Sequence, residues 1–146
     1  QSMTRGMMVT TLYRLAGEPQ VEGTATFQDV KSSAYYANAV AWAEANGIAK
    51  GIDTGVFAPN APVTREQAAA FAYRYVTAYL GKTPVPGASL GGFQDAGLVS
   101  DYAAESLSWA HAAGLMVGYG DGFLGPKDTV TRAQMAKLLT LLAQNF

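Results

Sequence analysis

The chain has 146 residues, 49% hydrophobic and 14% charged, with ten Lys and Arg against eleven Asp and Glu for a formal net charge of −1. That is enough apolar material for a packed core, and it excludes a disordered tail. The cations are scattered, which gives no footprint for a nucleic-acid backbone. No run of about 18 apolar residues is present for a membrane-spanning helix, and the absence of cysteine excludes disulfides and thiolate metal sites.

The chain opens on Met3-Thr4-Arg5-Gly6-Met7, a pattern that returns as Val63-Thr64-Arg65-Glu66-Gln67 and Val130-Thr131-Arg132-Ala133-Gln134. In each, a Thr precedes an apolar-periodic run, where its hydroxyl can cap the orphaned N–H groups of a helix start. Gln67 and Gln134 complete a capping box; Met7 cannot. The Arg opposes the helix dipole in the first turn. Its recurrence at one structural position points to a job other than helix stability.

The first helix runs on through Met8, Leu12, Leu15 and Ala16, with Thr11 as the polar exception, and Gly17 stands where a C′ glycine ends a helix. After a connector to Thr26 comes Phe27-Gln28-Asp29-Val30, then a first-type helix, A, over roughly 34–46 that ends at Gly47. Tyr35 and Trp42 lie seven apart and are predicted to share one side of it. A glycine- and proline-punctuated loop leads to the second-type helix, B, whose stripe is Ala68, Phe71, Ala72, Tyr75, Val76 and Tyr79, closed by Gly81. Past a Gly- and Pro-rich connector the order repeats. Phe93-Gln94-Asp95-Ala96 leads to a helix over 102–113 ending at Gly114, then a loop, then a stripe of Met135, Leu138, Leu139, Leu142, Ala143 and Phe146.

Residues 35–67 align with 102–134 without a gap at a constant offset of 67, and 13 of the 33 positions are identical. Unrelated sequences would share roughly two, so this is an internal duplication. The expected architecture is all-α: tandem helix–loop–helix units with five main helices. The expected boundaries are residues 1–22 for the second half of a first unit, 23–84 for a second and 85–146 for a third. The first unit lacks its helix A, which predicts a longer parent chain or a helix taken from a partner.

These residues resemble the S-layer homology family. Its repeat opens with a Phe-x-Asp-Val stretch, passes through a Gly-Ile-x-x-Gly loop ending in Phe-x-Pro, and closes with a Thr-Arg-Ala-Glu-like motif on the second helix. Phe27-Gln28-Asp29-Val30, Gly47-Ile48-Ala49-Lys50-Gly51, Phe57-Ala58-Pro59 and Thr64-Arg65-Glu66-Gln67 match in order, and the third unit matches through Phe93, Asp95, Gly114, Gly118, Pro126 and Thr131-Arg132-Ala133-Gln134. The motif's acidic last residue is Gln67, Gln134 or Met7 here, and the usual helix A Trp position is Tyr35 or Tyr102. The resemblance implies a pseudo-threefold assembly on the bacterial cell surface that binds secondary cell-wall polysaccharide, typically pyruvylated, in grooves between units.

For an anionic sugar the guanidinium forks of Arg5, Arg65 and Arg132 are the candidate contacts, at helix ends whose N–H groups and dipole also favour anions. The bland alternative pairs them with Asp29, Asp95 or another carboxylate. Tyr35 and Tyr102 are candidates for stacking on a sugar face, Trp42 and Trp109 are expected in the core, and Gly51 and Gly118 are turn glycines nearest the groove. Asp53 and Asp121 lack the ligand spacing of an EF-hand, so no metal is expected, nor is any cofactor. His111 has no partner spacing and is expected at the surface. No catalytic constellation appears, which argues against a surface hydrolase. The rival reading is a structural or oligomerisation module that packs on its own parent protein or on another copy.

Overall fold

The computed structural model describes residues 2–146. Five α-helices carry the architecture: α1 (Arg5–Leu15), α2 (Ala37–Ala45), α3 (Arg65–Arg74), α4 (Ala104–Ala112) and α5 (Arg132–Asn145). Among the described residues there is no strand, only isolated bridges. Helices α1, α3 and α5 are the three B helices, each started by its Thr. Thr4, Thr64 and Thr131 each accept from the N–H three residues on, and Gln67 and Gln134 reach back to close capping boxes.

The three B helices meet at a ring of backbone hydrogen bonds made by the residues just ahead of the caps. Met3 N–H donates to Val130 O at 2.9 Å, Val130 N–H to Val63 O at 2.9 Å, and Val63 N–H to Met3 O at 2.8 Å. The circuit closes on itself, so the pseudo-threefold axis passes through it. All three side chains are buried, which shields these bonds from water.

Around this axis the apolar stripes build one core. Met8, Leu12, Phe71, Val76, Met135, Leu138 and Leu142 are buried, as are Trp42 and Trp109, each 3% exposed. The tryptophans are core residues, as expected. Ala143 is exposed, however, although Leu142 before it is buried and Phe146 after it packs on Trp109. After Arg74 the third helix widens into a π turn over Tyr75–Tyr79, with Leu80 N–H donating to Tyr75 O. The extra residue stacks Tyr79 on Tyr75 and brings it edge-on to Trp42 at 5.1 Å.

The A helices begin later than their spacing predicts. Lys31 to Ala37 is a pair of turns (Ala34 N–H to Lys31 O and Ala37 N–H to Ala34 O, both 3.0 Å), and Asp101–Ala103 is a 3₁₀ turn. Tyr35 and Tyr102 therefore precede the helices and do not share a face with the tryptophans. Tyr35 is 64% exposed and Tyr102 53%, whereas Tyr36 is the buried ring and packs where a Cβ on Gly6 would meet it. Gly47 and Gly114 end α2 and α4 with φ of +74° and +77°, which a side chain would resist.

Candidate functional site

The site is built at the seams between units, by the foot of a B helix and the loop of the next unit. At the first seam, Arg5 and Gly6 donate their backbone N–H groups to Ala61 O and Pro59 O at 2.9 and 2.8 Å. At the second, Arg65 and Glu66 do the same to Asp128 O and Pro126 O at 2.8 and 3.0 Å. The orphan donors of α1 and α3 are thus satisfied by protein carbonyls and are not free for an anion.

The arginine side chains follow the same rule. Arg5, 4% exposed, donates from Nε to Phe57 O at 2.9 Å and from Nη2 to Lys50 O at 3.2 Å, with its guanidinium 4.8 Å from the Phe57 ring centroid. Arg65, also 4% exposed, donates from Nε to Leu124 O at 3.0 Å and from Nη2 to Val117 O, over the Tyr119 ring. Burial pulls the Arg5 guanidinium below its ordinary pKa. Neither arginine pairs with a carboxylate among the described residues. They staple the next loop through its carbonyls, where the pairing alternative had expected a carboxylate.

Asp29 and Asp95 do a different job. Asp29 accepts from Phe57 N–H and Ala58 N–H at 2.9 and 2.7 Å, and Asp95 from Leu124 N–H and Gly125 N–H at 2.9 and 2.8 Å. Each Asp fixes the very residue whose carbonyl the preceding unit's Arg grips. Burial works against ionisation of Asp29, but the two backbone donors outweigh it and hold the carboxyl below its ordinary value. Donation from Leu124 does the same for Asp95.

Gly51 and Gly118 lie against these loops, and their φ is not positive. A Cβ on Gly51 would sit 2.5 Å from Val56 O, and one on Gly118 2.7 Å from the Phe93 ring. They are glycines for close approach, and not only for turning.

Beside Arg5 opens a cleft of about 500 Å³. Its walls come from all three units: Arg5 from the first; Lys50, Gly51, Ile52, Glu66, Gln67 and Arg74 among those of the second; Ser100, Tyr102 and Lys127 from the third. Four cations, Arg5, Lys50, Arg74 and Lys127, face one acid, Glu66. Glu66 is 2% exposed and accepts from Ser100 N–H at 3.0 Å, Ser100 Oγ at 2.6 Å, Tyr102 OH at 3.4 Å and Lys127 Nζ at 2.9 Å. Burial opposes its ionisation, yet Ser100 and Lys127 together hold the carboxyl below its ordinary value.

The counterpart beside Arg65 holds about 150 Å³, lined by Val117, Gly118, Tyr119, Gln134 and Lys137 among others. Arg132 is exposed, and no loop lies opposite it among the described residues. The structure therefore brings Arg5, Gly51 and Tyr102 to one cleft and Arg65 and Gly118 to a smaller one, while Tyr35 and Arg132 stand outside both. Lys50, Glu66, Arg74, Ser100 and Lys127 are among the cleft residues that the sequence did not mark as site residues. Glu66, Ala70 and Arg74 at intervals of four on α3 were the available signal.

The loops' Asp53 and Asp121 accept local backbone N–H groups, from Thr54 and Phe123. His111 is half-buried, edge-on to Phe93 at 5.1 Å, and not at the open surface expected of it. No helix among the described residues is long and apolar enough to cross a membrane.

The S-layer homology domain matches residues 26–69 and 92–136. Over 97% of its length the chain is 34% identical to an endoglucanase of Bacillus sp. (strain KSM-635), and over 92% it is 33% identical to the surface-layer 125 kDa protein of Lysinibacillus sphaericus. It spans only 15% and 11% of those proteins. The undecaheme cytochrome from the S-layer of Carboxydothermus ferrireducens superposes on the whole chain with a TM-score of 0.58 at 15% identity, 18% of that protein being covered, so the likeness is one of fold. The chain belongs to the S-layer homology domain family, a non-catalytic anchoring module of the bacterial cell surface.

Proposed function

We propose that the module binds an acidic secondary cell-wall polysaccharide, pyruvylated on its sugars, and that the main cleft holds one charged residue of that polymer. The observation that carries this reading is the charge of the cleft: four cations against a single acid that is already paired with one of them. Lys50, Arg74 and the remaining donors of Arg5 hold the carboxylate, and the exposed Tyr102 ring offers a flat apolar face for a sugar. A charge-assisted contact contributes about 1.5–3 kcal/mol where water is excluded and less at a rim. In this reading Arg5 and Arg65 serve mainly to build the seams, and Gly51 and Gly118 let the loops close on them.

Retention on isolated wall polymer tests the reading. Lys50→Ala with Arg74→Ala should lower affinity at least tenfold while leaving the melting transition within a few degrees of wild type. Undiminished retention by the folded double variant rejects the cleft as the glycan site.

A further inference from the structure

The Glu66–Lys127 pair belongs to one cleft alone. At the position of Glu66 the other units carry Gly6 and Ala133, and at that of Lys127 the second unit carries Asn60. Both members thus depart from the repeat, and they meet at 2.9 Å. The pair adds no net charge to the cleft but places a fixed, buried carboxylate within it, held on its far side by the backbone and hydroxyl of Ser100. The smaller cleft has Arg65 and Lys137 on its walls and no acid.

An incoming anion meets three uncompensated cations, Arg5, Lys50 and Arg74, and one cation already claimed. A singly charged carboxylate is already balanced by Lys50 and Arg74, neither of which is paired with Glu66. A doubly charged group that also draws on Lys127 meets the Glu66 carboxylate there, which both competes for the ammonium and repels the second charge more than it would a single one. We infer that Glu66 sets the charge selectivity of the cleft, biasing it toward singly charged carboxylated sugars over doubly charged phosphate monoesters. Glu66 acts as a positioning residue, through Lys127, and the inference rests on the reading of the cleft as an anion site.

The test measures affinity of the full chain for two probes at mildly alkaline pH, a pyruvyl-ketal N-acetylhexosamine glycoside and an N-acetylhexosamine 6-phosphate, across a salt series. Glu66→Gln keeps the shape and releases Lys127. It should shift the affinity ratio toward the phosphate by roughly tenfold, the effect of one unit charge at ~6 Å in a partly hydrated site, and steepen the salt dependence for the phosphate. Glu66→Gln with Lys127→Gln restores the charge balance and should return the ratio to within about twofold of wild type. Lys127→Gln alone, in which Ser100 still holds Glu66, should shift the ratio about tenfold the other way. An unchanged ratio in Glu66→Gln overturns the inference, as does equal weakening of both probes in the single and double variants, which would make Glu66 a wall support only. Wild type that binds neither probe overturns the underlying reading as well, whereas wild type that binds the ketal with an unmoved ratio overturns the role of Glu66 alone.

Discussion

The foot of α3 and the foot of α5 start from the same Val-Thr-Arg-x-Gln residues and end in different environments. Arg65 is buried under the third unit's loop, with two carbonyls on its guanidinium and two more on the backbone N–H groups beside it. Arg132 has the same cap and the same capping box, but among the described residues no loop carbonyl meets it, and it lies exposed. The same motif residue is a staple at both seams where a loop is described opposite it. The two clefts differ among the described residues in the same way, the larger having Ser100, Tyr102 and Lys127 as a third wall.

The comparison breaks most sharply on substitution. Arg65→Ala strands the Leu124 and Val117 carbonyls in a buried seam and should cost roughly 3 kcal/mol of stability. Arg132→Ala should change it by less than about 0.5 kcal/mol. Urea denaturation of the two variants checks this, and equal losses would refute the staple role of Arg65.

Acid should loosen the loops next. Asp29, Asp95 and Glu66 have folded-state pKa values below their ordinary 3.8 and 4.5. With the folded value depressed, the stabilisation is fully present above those ordinary values and is lost as pH falls through the folded ones. Denaturation curves taken from neutral pH to about pH 3 should show stability falling only at the acid end, and Asp29→Asn should flatten that fall. A variant as acid-sensitive as wild type would remove the Asp29 loop tie from the explanation.

The smallest effect needs no substitution. The N–H groups of Arg65 and Glu66 bind Asp128 and Pro126 carbonyls, whereas those of Arg132 and Ala133 have no partner among the described residues. Amide exchange should be at least about tenfold slower for the first pair. Equal rates would mean the covered seam opens as readily as the bare one.

Periodicity, caps and the internal duplication were enough to place the five helices, their order and the core tryptophans, because these depend on contacts within a few residues or on a stripe that any partner must cover. The starts of α2 and α4 were read three and two residues early, since the turns at Lys31 to Ala37 and Asp101–Ala103 draw on local hydrogen bonds that the aromatic spacing does not report. That the arginines staple through carbonyls was not legible: a carbonyl acceptor leaves no mark in the sequence, and those that meet the two Nε atoms lie more than fifty residues away. The cleft itself was legible only in part. Arg5, Gly51 and Tyr102 stand at shared positions, whereas Glu66 and Lys127 differ between copies and come together only when three units close around one axis. Local chemistry along the chain determined which segments coil and where they start. Closure of the ring Met3–Val63–Val130 decided which charges face one another, because distance between units is set by packing and not by position in the chain.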